Sequence, residues 1–321
     1  MKKIIATVGP SLLYKTPLSK VHNPRNIYRI NGAHGTIEQI EDYILEIKSQ
    51  IKGSNILMDL PGNKVRTANL EGGAVEIEKN KEFHLYFDQM NYVEFYKHLK
   101  KGDKVWANDS VFSFTVQKIE KDKKRIILLS HSTGKLQNNK GMHVRGVHEK
   151  IPFLFEKDQK LIELANKHQL SYVGLSFVRT LSDIREAKKL INEKILIISK
   201  VETLAAVKNI TDILKEVEYI LIDRGDLSTE IGLTKVPAYQ KYIINKAVYH
   251  RRKVFLATQF LKSMEYNPIP TIPELIDMYN TLKKGIYGIQ MSEETAVGKY
   301  PKNCLDTIVE IMDEIESERL I

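Results

Sequence analysis

Cysteine is almost absent from this 321-residue chain. The single Cys304 rules out an internal disulfide and a cysteine-built zinc cluster. Long apolar runs are missing too: IIA near the start and ILIIS at 195–199 fall far short of the roughly 20 residues a membrane span needs. The opening MKKIIATVGPS has a basic start but neither a long apolar stretch nor a small-residue cleavage site, so it reads as a strand and not as a signal peptide. Neither GxxxxGK[ST] nor GxGxxG occurs, which argues against a P-loop or Rossmann nucleotide site. Internal repeats and low-complexity segments are lacking as well. A cytoplasmic protein is the default expectation.

What is present is a globular composition, 42% apolar and 28% charged, with a net charge of +9. Lysines are scattered, and runs such as KDKK at 121–124 resemble solvated turns. A basic surface serving phosphate-bearing substrates explains the surplus, so neither a nucleic acid nor a membrane is expected as partner. His22, His143 and His148 read as surface histidines, and Trp106 as packing.

Short β-rich runs alternate with helical patterns, which predicts an α/β fold with parallel strands. Eight strands are expected at 3–8, 27–31, 55–59, 172–176, 195–199, 219–223, 254–258 and 287–291. Helices are expected at 36–51, 156–168, 181–191, 203–217, 238–250 and 303–320. Eight strands and a closing helix predict a (β/α)8 TIM barrel. The alternation breaks between 68 and 147, where β formers and turn residues predict a small antiparallel β domain inserted after strand three. The expected organisation is therefore a first barrel segment at 1–67, the insert at 68–147 and a second barrel segment at 148–321, with the insert placed to act as a lid.

Barrel enzymes keep their chemistry at the C-terminal ends of the strands. Polar residues collect there in seven strands: Arg29, Asn31 and His34 after strand two, and Asp59, Lys64 and Arg66 after strand three. Ser176 and Arg179 follow strand four, Lys200 and Glu202 strand five, and Asp223, Arg224, Asp226 and Glu230 strand six. Thr258 ends strand seven, and Ser292, Glu293 and Glu294 follow strand eight. Glu202 and Asp226 are hard oxygen ligands suited to Mg²⁺ or Mn²⁺. Arg29, Arg66 and Lys200 could neutralise a phosphoryl group in transit. The RGDLS segment, read as a turn, could offer backbone N–H groups to an anion.

These residues carry a resemblance to the pyruvate kinase family over essentially the whole chain. KIIATVGPS, RINGAHGT, MDLPGNKVRT, KGMHVRG, ISKVE, RGDL, LATQFLKSM and MSEETAVGKYP are similar to that family's motifs, in its order. The resemblance implies that Arg29 and Arg66 contact phosphoryl groups and that Lys200 stabilises the transferring phosphoryl and the enolate oxygen. Glu202 and Asp226 would hold the metal. Thr258, with the backbone of Gly225 and Asp226, would hold the substrate carboxylate, while Ser292 and Glu294 would relay a proton and Lys140 would reach a nucleotide phosphate. Asn31, His34 and Ser176 would line the substrate and nucleotide site.

The departures from the family pattern carry their own expectations. Asn31 and Asp59 of the monovalent-cation site remain, but Ala33 replaces its Ser and Lys64 its Glu, with Leu60 alongside. An ammonium there substitutes for the K⁺ charge, so activity without K⁺ is expected. Asp223 replaces a small apolar residue, Ser228 a Gly and Glu293 another Gly, adding negative charge beside an anionic substrate. Asn108 and Ser110 interrupt an acidic turn, Gln39 leaves nucleotide choice open, and the family's C-terminal regulatory domain is missing. The leading expectation is Mg²⁺-dependent transfer from phosphoenolpyruvate to a nucleoside diphosphate, giving pyruvate and ATP or another nucleotide, with a homodimer compatible with the barrel. Three alternatives stay open: a paralogue with another substrate, a non-catalytic binding relative, and a metal-dependent aldolase or lyase.

Overall fold

The computed structural model describes residues 1–108, 111–144, 147 and 150–318; Ser110 and His148 lie outside the described residues. The chain folds as two compact units, Met1–Pro61 with Glu156–Ile321, and Gly62–Phe155. The inserted unit thus reaches past the expected boundaries at 67/68 and 147/148 on both sides. Residues 62–67 already pair with it, since the Met142 N–H donates to the Val65 carbonyl at 2.7 Å. At the other end, Ile151 and Phe155 pack on that unit's core.

The first unit begins with β1 (Lys3–Thr7), β2 (Asn26–Asn31), α1 (Ile37–Gln50) and β3 (Ile56–Asp59). The inserted unit holds β4 (Ala74–Ile77), β5 (Glu82–Tyr86), β6 (Lys104–Ala107), β7 (Phe112–Glu120), β8 (Arg125–Ser130), β9 (Gly134–Gln137) and β10 (Met142–His143). The first unit resumes with α2 (Glu156–Lys167), β11 (Tyr172–Leu175), α3 (Leu181–Lys188), β12 (Leu196–Val201), α4 (Leu204–Lys208) and α5 (Ile210–Glu216). It continues through β13 (Tyr219–Asp223), α6 (Arg224–Ile231), α7 (Val236–Tyr249) and β14 (Lys253–Ala257). It ends with α8 (Ile272–Lys283), β15 (Gly288–Met291), α9 (Glu293–Ala296) and α10 (Pro301–Glu318).

Eight strands close into a parallel barrel in the order β1-β15-β14-β13-β12-β11-β3-β2, as the alternating pattern predicts. They are apolar along their length because helices cover the outside and side chains fill the inside. Ile5, Ile27, Leu57, Ile198, Leu221 and Phe255 form the interior layers with Tyr172 and Tyr219. The two tyrosine rings meet edge-on at 5.6 Å, and Lys253 lies 4.9 Å over the Tyr219 ring, a cation–π contact beside the aromatic layer.

The inserted unit is antiparallel: a five-stranded sheet ordered β10-β6-β7-β8-β5 and a two-stranded β4-β9 ribbon. Its core centres on Leu85, Phe95, Val105, Phe114, Val116 and Leu128. Inward positions alternate along β7, where Phe112, Phe114 and Val116 are buried and Ser113 and Thr115 are not, the period expected of a half-buried strand.

Three local expectations are corrected. The helix expected over 203–217 is two, α4 and α5, divided at Asn209, whose side chain donates to the Arg179 carbonyl at 3.0 Å. An asparagine that bonds backbone outside its own helix competes with helix continuation. The RGDLS segment is the first turns of α6 and not a free turn. Helix α8 lies where no helix was expected, although Thr271 and Glu274 form a capping box with Pro273 in the first turn.

Candidate active site

The C-terminal ends of β2, β3, β11, β12 and β13 bring charged side chains into one buried network. The Arg29 Nε donates to Asp59 Oδ2 at 2.7 Å and its NH2 lies 2.6 Å from the same oxygen, while NH1 donates to Thr7 Oγ1 at 2.8 Å. Room for the Asp59 carboxylate comes from Gly174 on the neighbouring strand, where a Cβ would stand 2.8 Å from Asp59 Oδ1. Lys200, at the centre, donates to Ser176 Oγ at 3.0 Å. Its ammonium lies 3.5 Å from Asp59 Oδ2, 3.4 Å from Glu202 Oε2 and 3.9 Å from Asp223 Oδ2. Ser176 in turn donates to the Leu60 carbonyl at 2.6 Å, which fixes its lone pairs toward Lys200.

Burying these charges is costly unless they are paired, and the pairing is uneven. For Lys200 burial works against the charged form, but Asp59, Glu202 and Asp223 outweigh it and push the ammonium above its usual range. Burial would raise the Asp59 carboxyl as well, yet Lys200 and Arg29 hold it below the ordinary carboxylate value. Glu202 goes the other way: burial, with the charges of Asp226 and Asp223, outweighs Lys200 and lifts its carboxyl to about 8. Asp223 is also raised, by burial first and by Asp226 second.

The β13–α6 junction is built around Asp223, the N-cap of α6. Its Oδ1 accepts from the Gly225 N–H at 3.1 Å and the Asp226 N–H at 3.4 Å. The Gly225 N–H also reaches Thr258 Oγ1 at 3.0 Å. Thr258 stands at φ +70, a conformation that β-branched residues rarely adopt. Arg224 holds it there, donating through Nε to the Thr258 carbonyl at 3.0 Å while pairing with Asp277 at 2.7 Å and lying 4.1 Å over Phe260. Strain of this kind persists only where its surroundings fix it, and it clusters at functional sites.

One oxygen from each of Glu202, Asp223 and Asp226 lies within 4.8 Å of the others. Glu202 commits Oε1 to the Phe177 N–H at 2.7 Å, leaving the buried Oε2 without a hydrogen bond. An all-carboxylate donor set with an unbonded buried oxygen suits a hard divalent cation such as Mg²⁺ or Mn²⁺.

Ser292 and Glu294 form their own arrangement beyond β15, with the Ser292 N–H donating to Glu294 Oε2 at 2.8 Å. Glu294 is buried, which raises its carboxyl. The short α9 that carries it lies against β1: Thr295 Oγ1 donates to the Thr7 carbonyl at 2.9 Å, and a Cβ on Gly9 would meet the Ala296 carbonyl at 2.6 Å. Glu293, by contrast, is exposed and lies 3.6 Å from Lys262.

Other residues singled out in the sequence have local partners within their own unit. Asn31 Oδ1 accepts from the Ala33 N–H at 3.1 Å, and the His34 N–H donates to the Asn31 carbonyl at 3.3 Å, with the His34 side chain exposed. Arg179 forks onto Asp183, which also forms the α3 capping box with Thr180. Glu230 accepts from the Leu204 N–H at 3.4 Å. In the inserted unit, the Lys140 N–H bonds Thr67 Oγ1 at 2.9 Å, the Arg66 N–H bonds Asn91 Oδ1 at 2.7 Å, and Lys64 lies along Gly141, where a Cβ would stand 2.5 Å from Lys64 Cε. Sequence reasoning passed over Thr7, whose hydroxyl receives Arg29 and donates to the Met291 carbonyl at 2.6 Å. It is the polar residue that closes β1, the one strand end left out of the ring of polar ends.

Comparison with known proteins fits this arrangement. Named pyruvate kinases from Thermotoga maritima and Geobacillus stearothermophilus are 32% and 31% identical to the chain over 98% and 96% of its length. One from Thermococcus litoralis is 29% identical over 99%. The chain spans 71% of the Thermotoga protein and 70% of the Thermococcus protein, but little more than half, 56%, of the Geobacillus one. The family model described as the barrel domain of pyruvate kinase matches residues 1–305, so the chain belongs to the pyruvate kinase family of phosphotransferases.

Proposed function

We propose that this protein transfers a phosphoryl group from phosphoenolpyruvate to a nucleoside diphosphate, in the cytoplasm and without a requirement for K⁺. The observation that carries the reading is Lys200, a buried ammonium at a barrel mouth among Arg29, Asp59, Glu202 and Asp223. In the reaction, the bond between the enol oxygen and phosphorus breaks as one forms from a terminal oxygen of the acceptor nucleotide. The enolate left behind takes a proton on carbon to become pyruvate. Catalysis of such a step is mostly positioning and charge stabilisation. Lys200 stabilises the phosphoryl group and the enolate oxygen, and Arg29 and Arg66 bind phosphoryl oxygens. Asp59 and Thr7 fix the Arg29 guanidinium so that its charge is oriented before substrate arrives. Glu294, whose burial keeps a proton on its carboxyl to higher pH, supplies the proton reserve for the relay through Ser292.

Glu202 and Asp226 would hold Mg²⁺ or Mn²⁺, which supplies charge neutralisation at the phosphate oxygens. Thr258 would orient the substrate carboxylate, and Lys140 a nucleotide phosphate. Asn31, His34 and Ser176 would line the same substrate site. Activity without K⁺ rests on the lysine at position 64, where the family resemblance expects a glutamate beside a monovalent cation. A homodimer through barrel helices belongs to the same proposal.

A second reading, a relative with a different phosphorylated substrate, is favoured by one feature. The Gly225 and Asp226 N–H groups, which the resemblance assigns to a substrate carboxylate, already donate to Asp223. The deciding assay is pyruvate release from phosphoenolpyruvate with Mg²⁺ and a panel of nucleoside diphosphates, with and without K⁺, beside Lys200→Ala. K⁺-independent turnover that the substitution abolishes is the expected result. Protein that binds Mn²⁺ yet releases no pyruvate with any acceptor would replace the first reading by the second.

A further inference from the structure

In the sequence alone, Asp223 is surplus negative charge beside the site. Its surroundings give it a defined task. The α6 N-terminal N–H groups of Gly225 and Asp226 hold Oδ1, so the carboxylate is oriented by backbone that cannot swing away. Its other oxygen faces Lys200 at 3.9 Å, too far for a direct hydrogen bond. Glu202 is arranged in the same way, with Oε1 held by the Phe177 N–H and a buried Oε2 that accepts no hydrogen bond. Each carboxylate thus has one oxygen anchored by backbone and one that faces Lys200, and one oxygen of each lies within 4.8 Å of an Asp226 oxygen. Anchoring the outer atom of a ligand is how proteins orient donors around a metal.

We propose that Asp223 is a third protein ligand of the divalent cation, so that Glu202, Asp223 and Asp226 bind the ion before any substrate arrives. With about six coordination positions on Mg²⁺ or Mn²⁺, three protein carboxylates leave about three for water and phosphate oxygens. The proposal leans on the phosphoryl-transfer reading only for the identity of the cation.

The test uses Mn²⁺ alone with the full chain and no substrate. Free Mn²⁺ is titrated by electron paramagnetic resonance, and waters on the bound ion are counted from line broadening in ¹⁷O-enriched water. Wild type should bind one Mn²⁺, and Glu202→Gln should weaken it, establishing which site is being read. Asp223→Asn, which keeps an oxygen for the α6 N–H groups but loses the charge, should weaken binding on the order of tenfold or more. Asp223→Ala should weaken it at least as far and add about one water to the bound ion. Circular dichroism monitors folding, and Asp223→Asn decides the matter if the alanine variant does not fold. Binding that neither Asp223 substitution alters, or a wild type that binds no Mn²⁺ without substrate, overturns the proposal. Failure of the pyruvate assay leaves these binding outcomes unchanged, so the two ideas fall separately.

Discussion

Raising the pH should destabilise the metal-free protein, and Glu202 sets the size of the effect. Its carboxyl titrates near 4.5 when solvated and is lifted to about 8 in the fold, by burial first and then by the neighbouring Asp226 and Asp223 charges. Between those values the native state binds a proton that the unfolded chain releases, so stability falls as pH rises. One such group costs about 1.4 kcal/mol per pH unit. From about pH 6 to 7.5 the loss is about 2 kcal/mol, or about 4 °C in melting temperature at roughly 2 °C per kcal/mol for a chain of this size. Asp223 is shifted in the same direction and adds to the slope. Asp59 is held low and Lys200 high, so neither changes charge in this window. Differential scanning fluorimetry with a chelator should record the fall, Glu202→Gln should flatten it, and saturating Mg²⁺ should remove it by taking the proton's place. A metal-free melting temperature that is flat or rising over this interval, or a slope that survives in Glu202→Gln, would refute the account of the cluster.

Two further outcomes follow from particular residues. Lys64→Glu should make turnover depend on K⁺, with activity falling on the order of a hundredfold in K⁺-free buffer and recovering when K⁺ is restored; equal loss in both buffers would deny Lys64 the role of a cation substitute. Gly174→Ala would drive a methyl into Asp59 Oδ1 at 2.8 Å. It should cost about 1–3 kcal/mol in chemical denaturation and lower turnover through the displaced Asp59–Arg29 pair, whereas unchanged stability and rate would show that the carboxylate has room to move.

The barrel was legible because its signal is periodic and repeated. Each predicted strand overlaps an observed one, and the break in alternation marks the antiparallel insert. Helix ends were less legible where one residue's side chain decides the matter, as Asn209 does in dividing the expected 203–217 helix. Helix α8 had a readable signature in Thr271, Pro273 and Glu274 that the apolar spacing did not bring out. Within the site, residue types at strand ends indicated Arg29, Lys200, Glu202 and Asp226, but the partners of these groups depend on register. That β2 lies beside both β1 and β3 is what sets Arg29 between Thr7 and Asp59. The predicted barrel implies that adjacency, but no spacing in the chain records the register.

Asp223 shows why such a position is misread from charge alone. Counted as a formal charge next to an anionic substrate, it is unfavourable. Placed as the N-cap of α6 and a partner of Lys200, it has two compensating interactions that depend on the strand ending where it does. A small apolar residue there would leave the α6 N–H groups open to an incoming anion; an aspartate fills them from within the chain and turns its second oxygen toward Lys200. One substitution therefore alters two properties together, the affinity for the divalent ion and the welcome given to a substrate carboxylate.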